Sequence, residues 1–433
     1  MTDTSRPHGR RAFRPVAILP LLALGLAMSA PAHATDGYFL NGTGAKAKGA
    51  GGVEIALPQD GLAIAVNPAA VTEVGHRLDV GFEVFVPRRG ARISGNTAGL
   101  NGDYSGNGAN PFVLPELAYV RPLSDRVAVG LAISGNGGMN TRYKVNPFAS
   151  FGATGPAGVN LQQIMISPTI GVQLAKGHSL GLSPTVVVQG FEMLGVQPFA
   201  GYSQEPANFT NRGTDWAVGA GVRVGYLGSL GGAVKIGAFY QSKVWTGRFK
   251  KYAGLYADQG GFDVPAAWGA GIAVKPVPAL TLGADYKRIE YSKVASVGNP
   301  VGLLFQGKPF GAAGGPGFGW RDVDVWKIGA VYQARPGLTL RAGYGRSDNP
   351  VPSSQTLLNI LAPGVVRGHI TGGASVDLSS RAELTGYVMH APRQTVRGAG
   401  SIPPGMPPAG FGGGEADIHL SETAVGLSFG LKL

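Results

Sequence analysis

The chain has 433 residues and a formal charge of +12, from 37 Lys and Arg against 25 Asp and Glu, yet only 14% of its residues are charged and 71 are Gly. Soluble domains carry roughly 25% charged residues, so a typical soluble enzyme is excluded, and the basic residues stand singly rather than in the clusters of a nucleic-acid surface. Without Cys, and with seven His that lack ligand spacing, the sequence offers no disulfide, thiolate metal site or redox centre, and neither a metal nor another cofactor is expected.

Residues 1–34 read as a signal peptide. Arg6, Arg10, Arg11 and Arg14 precede an apolar run from Val16 to Ala27, too short to span a bilayer, and Ala32-His33-Ala34 supplies a small-x-small cleavage site. The charge order and cleavage pattern argue against an N-terminal anchor. Removing four Arg and Asp3 takes the formal +12 to +9 and starts the mature chain at Thr35.

Residues 35–76 are rich in small residues, with turns at Pro58-Gln59-Asp60 and Asn67-Pro68, and suit a compact plug. Beyond them no stretch reaches the roughly 18 apolar residues of a membrane helix. Strand patterns dominate instead. Thr423, Val425, Leu427, Phe429, Leu431 and Leu433 alternate with Ala424, Gly426, Ser428, Gly430 and Lys432; the same period of two runs through 216–226, 280–287 and 338–344. Fourteen strands are expected, at about 77–87, 113–121, 126–135, 162–175, 178–192, 214–228, 231–247, 265–275, 279–291, 322–334, 337–348, 366–378, 380–391 and 420–433.

A soluble sandwich would show the same alternation. Three features favour an antiparallel transmembrane β-barrel over 77–433. The minority face carries Gly, Ser, Thr and single charges, as a filled lumen requires. Aromatics such as Trp216, Trp245, Trp268, Tyr286, Trp326 and Tyr344 fall near strand ends, at headgroup level. Short turns alternate strictly with long Gly-, Pro- and Asn-rich connections, the rhythm of periplasmic turns and external loops, and the strand count is even. The long connection 392–417 is one such loop.

Gly37-Tyr38-Phe39-Leu40-Asn41, Gly49-Ala50-Gly51-Gly52, Asn67-Pro68-Ala69, the segment GAFYQSKVW at 237–245, Val264 to Trp268, and WRDVDVWKIGAVYQARPGLTLRAGYGRSDNPVP at 320–352 occur in that order. In these motifs the chain resembles the FadL family of outer-membrane long-chain fatty-acid transporters, whose relatives include importers of aromatic hydrocarbons. The resemblance covers the mature chain apart from the long loops; one departure is the terminal Leu433, where the family usually ends in an aromatic.

The resemblance implies a fourteen-stranded barrel of the cell outer membrane with an N-terminal hatch in its lumen, and passive, ligand-gated uptake with lateral exit. Its partners would be a hydrophobic ligand, fatty acid or hydrocarbon, and outer-membrane lipid, with no nucleic acid and a monomeric state. Arg321, with Lys327 as the alternative, corresponds to one head-group cation; the other position falls near Gln189, where the cation is missing, which widens the ligand class toward neutral hydrocarbons. Arg321 serves equally well as a rim or lumen ion-pair residue. The hatch would rest on Asn41, Asn67, Pro68 and Ala69, residues that folding of the plug also requires. A lateral opening would lie at Ser134, Gly135, Asn136 and Gly137 in the third strand, a stretch that also reads as a strand end.

No Gly-x-Ser-x-Gly elbow, phosphate loop or carboxylate pair marks an enzyme, and no catalytic residue is assigned. For a fatty acid, each buried methylene contributes about 0.8 kcal/mol, whereas a charged head-group contact adds about 1.5–3 kcal/mol. An apolar slot would set affinity and a cation would set orientation. A general diffusion porin is the alternative from another class.

Overall fold

The computed structural model describes residues 36–433; the expected signal peptide lies outside the described residues. Fourteen antiparallel strands form the wall: β1 (Arg77–Ser94), β2 (Phe112–Pro122), β3 (Val127–Asn140), β4 (Gly158–Ala175), β5 (His178–Leu194), β6 (Asp215–Leu230), β7 (Val234–Gln241), β8 (Ala267–Val277), β9 (Leu280–Ile289), β10 (Val323–Arg335), β11 (Leu338–Ser347), β12 (Gly368–Asp377), β13 (Ala382–Val396) and β14 (Glu415–Lys432). Each pairs with its neighbour in sequence, and β14 closes on β1 from Arg77↔Lys432 to Ser94↔Glu415. Closure gives the backbone partners all round, which hydrocarbon cannot supply.

Several strands run past the limits read from sequence. The first continues from 87 to Ser94 and the last begins at Glu415 rather than 420, still paired to each other; the fourth begins at Gly158 and the thirteenth ends at Val396. In this outer layer the wall has left the apolar band, so the ladder persists where the greasy alternation stops. The seventh is shorter than 231–247. It ends at Gln241, and Trp245–Thr246 then pairs back onto β6. Between these pieces Ser242 Oγ accepts the Val222 N–H at 3.0 Å in place of a strand carbonyl.

The outward face is apolar: Val80, Phe82, Ile170, Leu182, Val218, Ile328, Val425 and Phe429 are all exposed. Water would penalise such a continuous surface, whereas lipid matches it. Trp268, Tyr286 and Trp326 on β8, β9 and β10 stand in a row of ring contacts, with centroids 5.5 and 4.7 Å apart. They make part of an aromatic belt at the loop end.

The lumen is occupied by residues 36–76, which contact strands on every side. Gly61 N–H donates to Asp79 of β1 (2.8 Å), Asn67 Nδ2 to the Tyr226 carbonyl of β6 (3.0 Å), Glu54 N–H to Asp285 of β9 (2.7 Å) and Gly51 N–H to Thr371 of β12 (2.8 Å). The inward glycines make room for this. A Cβ on Gly181, Gly225, Gly237 or Gly343 would stand less than 3.0 Å from Pro68, Asn67, Ile55 or Gly51. Small residues line the lumen because another stretch of backbone lies against the wall.

Ion pairs fasten the segment. Buried Lys48 reaches Glu83 of β1 at 2.8 Å and Glu116 of β2 at 2.7 Å, and Lys46 reaches Glu383 of β13 at 2.5 Å, where Arg77 also binds. Truncating one member of a buried ion pair costs about 3–5 kcal/mol because its partners stay charged and dry. Lys48→Met should therefore destabilise the folded barrel by about that amount, and adding Glu83→Gln and Glu116→Gln should restore most of the loss. Urea unfolding of the three forms in detergent measures both effects.

Candidate functional site

The N-terminal turn Asp36-Gly37-Tyr38-Phe39 has Gly37 at φ 76°, where a side chain would also strike the Tyr291 ring. From this turn the chain runs along the inner side of β3. Leu40 N–H donates to the Asn136 carbonyl (3.2 Å) and Gly138 N–H to the Tyr38 carbonyl (3.0 Å). At the same place β3 is bulged: Gly135 pairs with Ile164 and Gly137 with Gln163, leaving Asn136 extra. The ladder from β2 to β3 stops at Leu117↔Ile133, so Ser134 and the residues beyond have no ladder partner on β2. The four residues read from sequence as a lateral opening thus sit where two wall strands part.

Asn136 Nδ2 donates to Gln163 (2.9 Å), Gln163 to Gln189 (2.9 Å), and Gln189 to the Phe262 carbonyl (2.9 Å). Gln189 is therefore one link in a buried amide chain running from the bulge to the loops. A cavity of about 60 Å³ opens beside the bulge. Phe39, Leu40, Met165 and Phe239 line it together with Glu54, Arg223 and Lys287.

Asp36 is the centre of charge. One of its carboxylate oxygens, Oδ2, lies 2.8 Å from Lys287 Nζ and 3.5 Å from Lys327 Nζ; the other has no hydrogen-bond partner among the described residues. Burial alone would raise this carboxyl, but the two lysines overcome it and hold it below its ordinary value. Lys327 also donates to the Asn41 carbonyl. Nearby, burial pushes Glu54 up to about 7 against the pull of Lys327.

Toward the loops the site becomes aromatic. Tyr38 stands 5.1 Å from Tyr291, 5.9 Å from Trp320 and 6.2 Å from Phe262, centroid to centroid, and Phe262 stands 4.9 Å from Tyr256. Tyr256 in turn lines a second cavity of about 40 Å³ with Phe148, Phe199, Phe209, Phe310 and Phe318, side chains from several different loops. A dry cavity that accepts benzene is about 150 Å³. The pocket is closed in this conformation, and a ring enters only if the loops separate.

Asp36, Asn41 and Lys327 are brought together; Arg321 is not among them. It is exposed on the loop side, its N–H donating to the Pro350 carbonyl at 2.8 Å, while its neighbour Trp320 is the side chain that reaches inward. Asn67 caps the short helix Pro68–Thr72, accepting from Ala69 N–H at 3.1 Å, and Pro68 and Ala69 lie against Gly181. Sequence reasoning passed over Asp36, Arg223 and Lys287. Lys287 was visible as a cation on the inward face of its strand; Asp36, one residue before the Gly37 motif, carried no signal of its own.

A family model described as "Outer membrane protein transport protein (OMPP1/FadL/TodX)" matches residues 25–375. The solved toluene transporter TodX of P. putida is 19% identical, with 91% of this chain and 99% of that one covered at a TM-score of 0.65. The toluene transporter TbuX of Ralstonia pickettii is 18% identical, with 91% and 99% covered at 0.63. A Pseudomonas aeruginosa FadL homologue is 15% identical, with 92% and 99% covered at 0.66. At these identities the likeness concerns the fold. No curated protein matches the sequence.

Because the folded value of Glu54 lies above its ordinary one, Glu54 costs stability as pH rises from about 4.5 to about 7. Thermal unfolding at pH 5 and pH 8 should show a decline in stability toward pH 8 that Glu54→Gln reduces.

Proposed function

This chain belongs to the outer-membrane transport protein family of FadL and TodX and spans the outer membrane as a fourteen-stranded barrel, and from that premise we propose that it imports long-chain fatty acids passively. In this reading residues 1–34 are removed on export, 35–76 form a hatch, and 77–433 form the wall. The observation that carries it is the unbroken run of packed aromatic side chains from the apolar loop pocket through Tyr256, Phe262 and Tyr38 to the turn whose Asp36 meets Lys287 and Lys327, beside the parted strands. Once the loops separate, an acyl chain would lie along the aromatic stretch, and its carboxylate has the same chemistry as the group that Asp36 now presents to the lysines.

Taking the place of Asp36 would release the turn at 36–39 from β3, since the same few residues hold both contacts. The cavity beside Asn136 would then join the gap between β2 and β3, and the ligand would leave sideways into lipid. Ligand binding supplies the free energy for this step, and no other source is needed. Arg321, exposed near the mouth, would meet the head group first.

A second reading, uptake of neutral aromatic hydrocarbons, draws on Gln189, an amide where a second cation was expected, and on the toluene transporters among the structural neighbours. Labelled oleate and toluene uptake into liposomes separates the two. Oleate should pass, and Lys287→Met with Lys327→Met should slow it by about tenfold, the loss of one charged contact of about 1.5 kcal/mol, with little effect on toluene. Transport of toluene alone would favour the second reading, and neither entering above empty liposomes would sink both.

Two further outcomes test the route. Deleting Asn136 should restore the β3 register and cut uptake while the barrel still folds. Gly225→Val, which drives a side chain into Asn67, should loosen the hatch and raise conductance in planar bilayers, where the wild type stays nearly closed. A large steady wild-type conductance would mean a general diffusion porin.

A further inference from the structure

At the loop end of the wall, the outward-facing positions of β2 to β8 carry no Lys or Arg, whereas β9, β11, β13 and β1 carry arginines. Arg288 on β9 is neutralised by Asp324 at 2.9 Å and Asp322 at 3.1 Å. Arg88, Arg346, Arg393 and Arg397 have no carboxylate partner among the described residues, and all four are exposed. Registers place Arg88, Arg346 and Arg393 just outside the apolar band, and Arg397, which follows Val396 opposite Ile418, farther out. Tyr344 pairs with Ile370, Ile370 with His390, His390 with Thr423 and Thr423 with Val86. Arg346 and Arg88 lie two residues beyond the ends of that row, and Arg346 is the cross-strand partner of Trp326 in the aromatic belt.

Arg393 of β13, and Arg397 one residue past its end, reach this face through a fault in the ladder. Met389 and Ala391 point inward, so unbroken alternation would send 393 and 397 into the lumen. The register slips between Ala391 and Gln394, after which Gln394 opposes inward Leu420 and Val396 opposes inward Ile418. Arg393 and Arg397 therefore turn outward. A bulge that exposes Arg393 level with Arg88, with no carboxylate partner among the described residues, calls for an anionic one.

We infer that this arginine arc on β11, β13 and β1 binds the phosphorylated headgroups of anionic lipid in the leaflet that surrounds the loop end. A guanidinium engages phosphate through two parallel hydrogen bonds, and the aromatic belt below seats the acyl chains. The site faces membrane, away from the lumen, and is independent of what the barrel transports.

The mature protein is reconstituted in phosphatidylcholine nanodiscs containing either bisphosphorylated lipid A or its dephosphorylated form, and retained lipid is counted by native mass spectrometry. The phosphorylated lipid should be retained preferentially. Replacing Arg88, Arg346, Arg393 and Arg397 with Gln should lower retention by about tenfold or more, in line with the attraction of each cation near an anionic surface. Arg121→Gln, Arg335→Gln and Arg381→Gln, at the opposite end, should leave it unchanged. If the fourfold variant does not assemble, Arg393→Gln with Arg397→Gln replaces it and should still lose several-fold. Equal retention of both lipids by the wild type, full retention by the variants, an equal loss from the opposite-end variants, or complete displacement by equimolar inorganic phosphate would each overturn the assignment.

Discussion

Backbone amides inside a bilayer have no water to bond, so a wall made of strands is stable only when every strand finds a neighbour on both sides. The β14–β1 pairing meets that demand over eighteen residues, the full length of both strands. Where β2 and β3 part beyond Ile133, the demand is met differently: Asn136 and Gly138 bond to Leu40 and Tyr38 from inside the barrel. The N-terminal turn thus completes the wall at its weakest place. The same turn supplies Asp36 to the two lysines, so the charge centre and the integrity of the wall are held by one short piece of chain.

That coupling extends through the rest of the lumen. The segment 36–76 is held by several buried ion pairs and by backbone bonds to strand side chains, each costly to break once water is absent. Its middle, around Lys48, is tied to both β1 and β2 and is the part least able to move. Its first six residues hold through Asp36, a few backbone bonds and aromatic contacts, a set that a ligand with an apolar body and a charged head can replace piece by piece.

Much of this was legible beforehand. The period of two predicted which face of each strand meets lipid, and the alternation of short and long connections predicted the strand count and the direction of the loops. The strand ends were less legible, because the ladder continues into the aqueous layer where the apolar signal has vanished. The family motifs single out Lys327 and the Ser134–Gly137 stretch; the first lies beside Asp36 and the second at the bulge of β3. At Arg321 the motif leaves the direction open: its neighbour Trp320 occupies the inner position, and which of two adjacent residues points inward at a strand entrance depends on how the preceding loop arrives.

The sequence by itself determined the closed barrel and its inward and outward faces, because alternation is local and the contrast between lipid and lumen acts along the whole strand. Only the tertiary structure decided which inward residues meet. Asp36 joins Lys287 and Lys327 across some 250 to 290 positions of chain because the position of the N-terminal turn, the strand registers and one bulge in β3 bring them into one buried charge cluster. Likewise a one-residue slip after Ala391 reverses the direction of every side chain beyond it. Such choices are made by contacts between distant segments, and no periodicity along the chain records them.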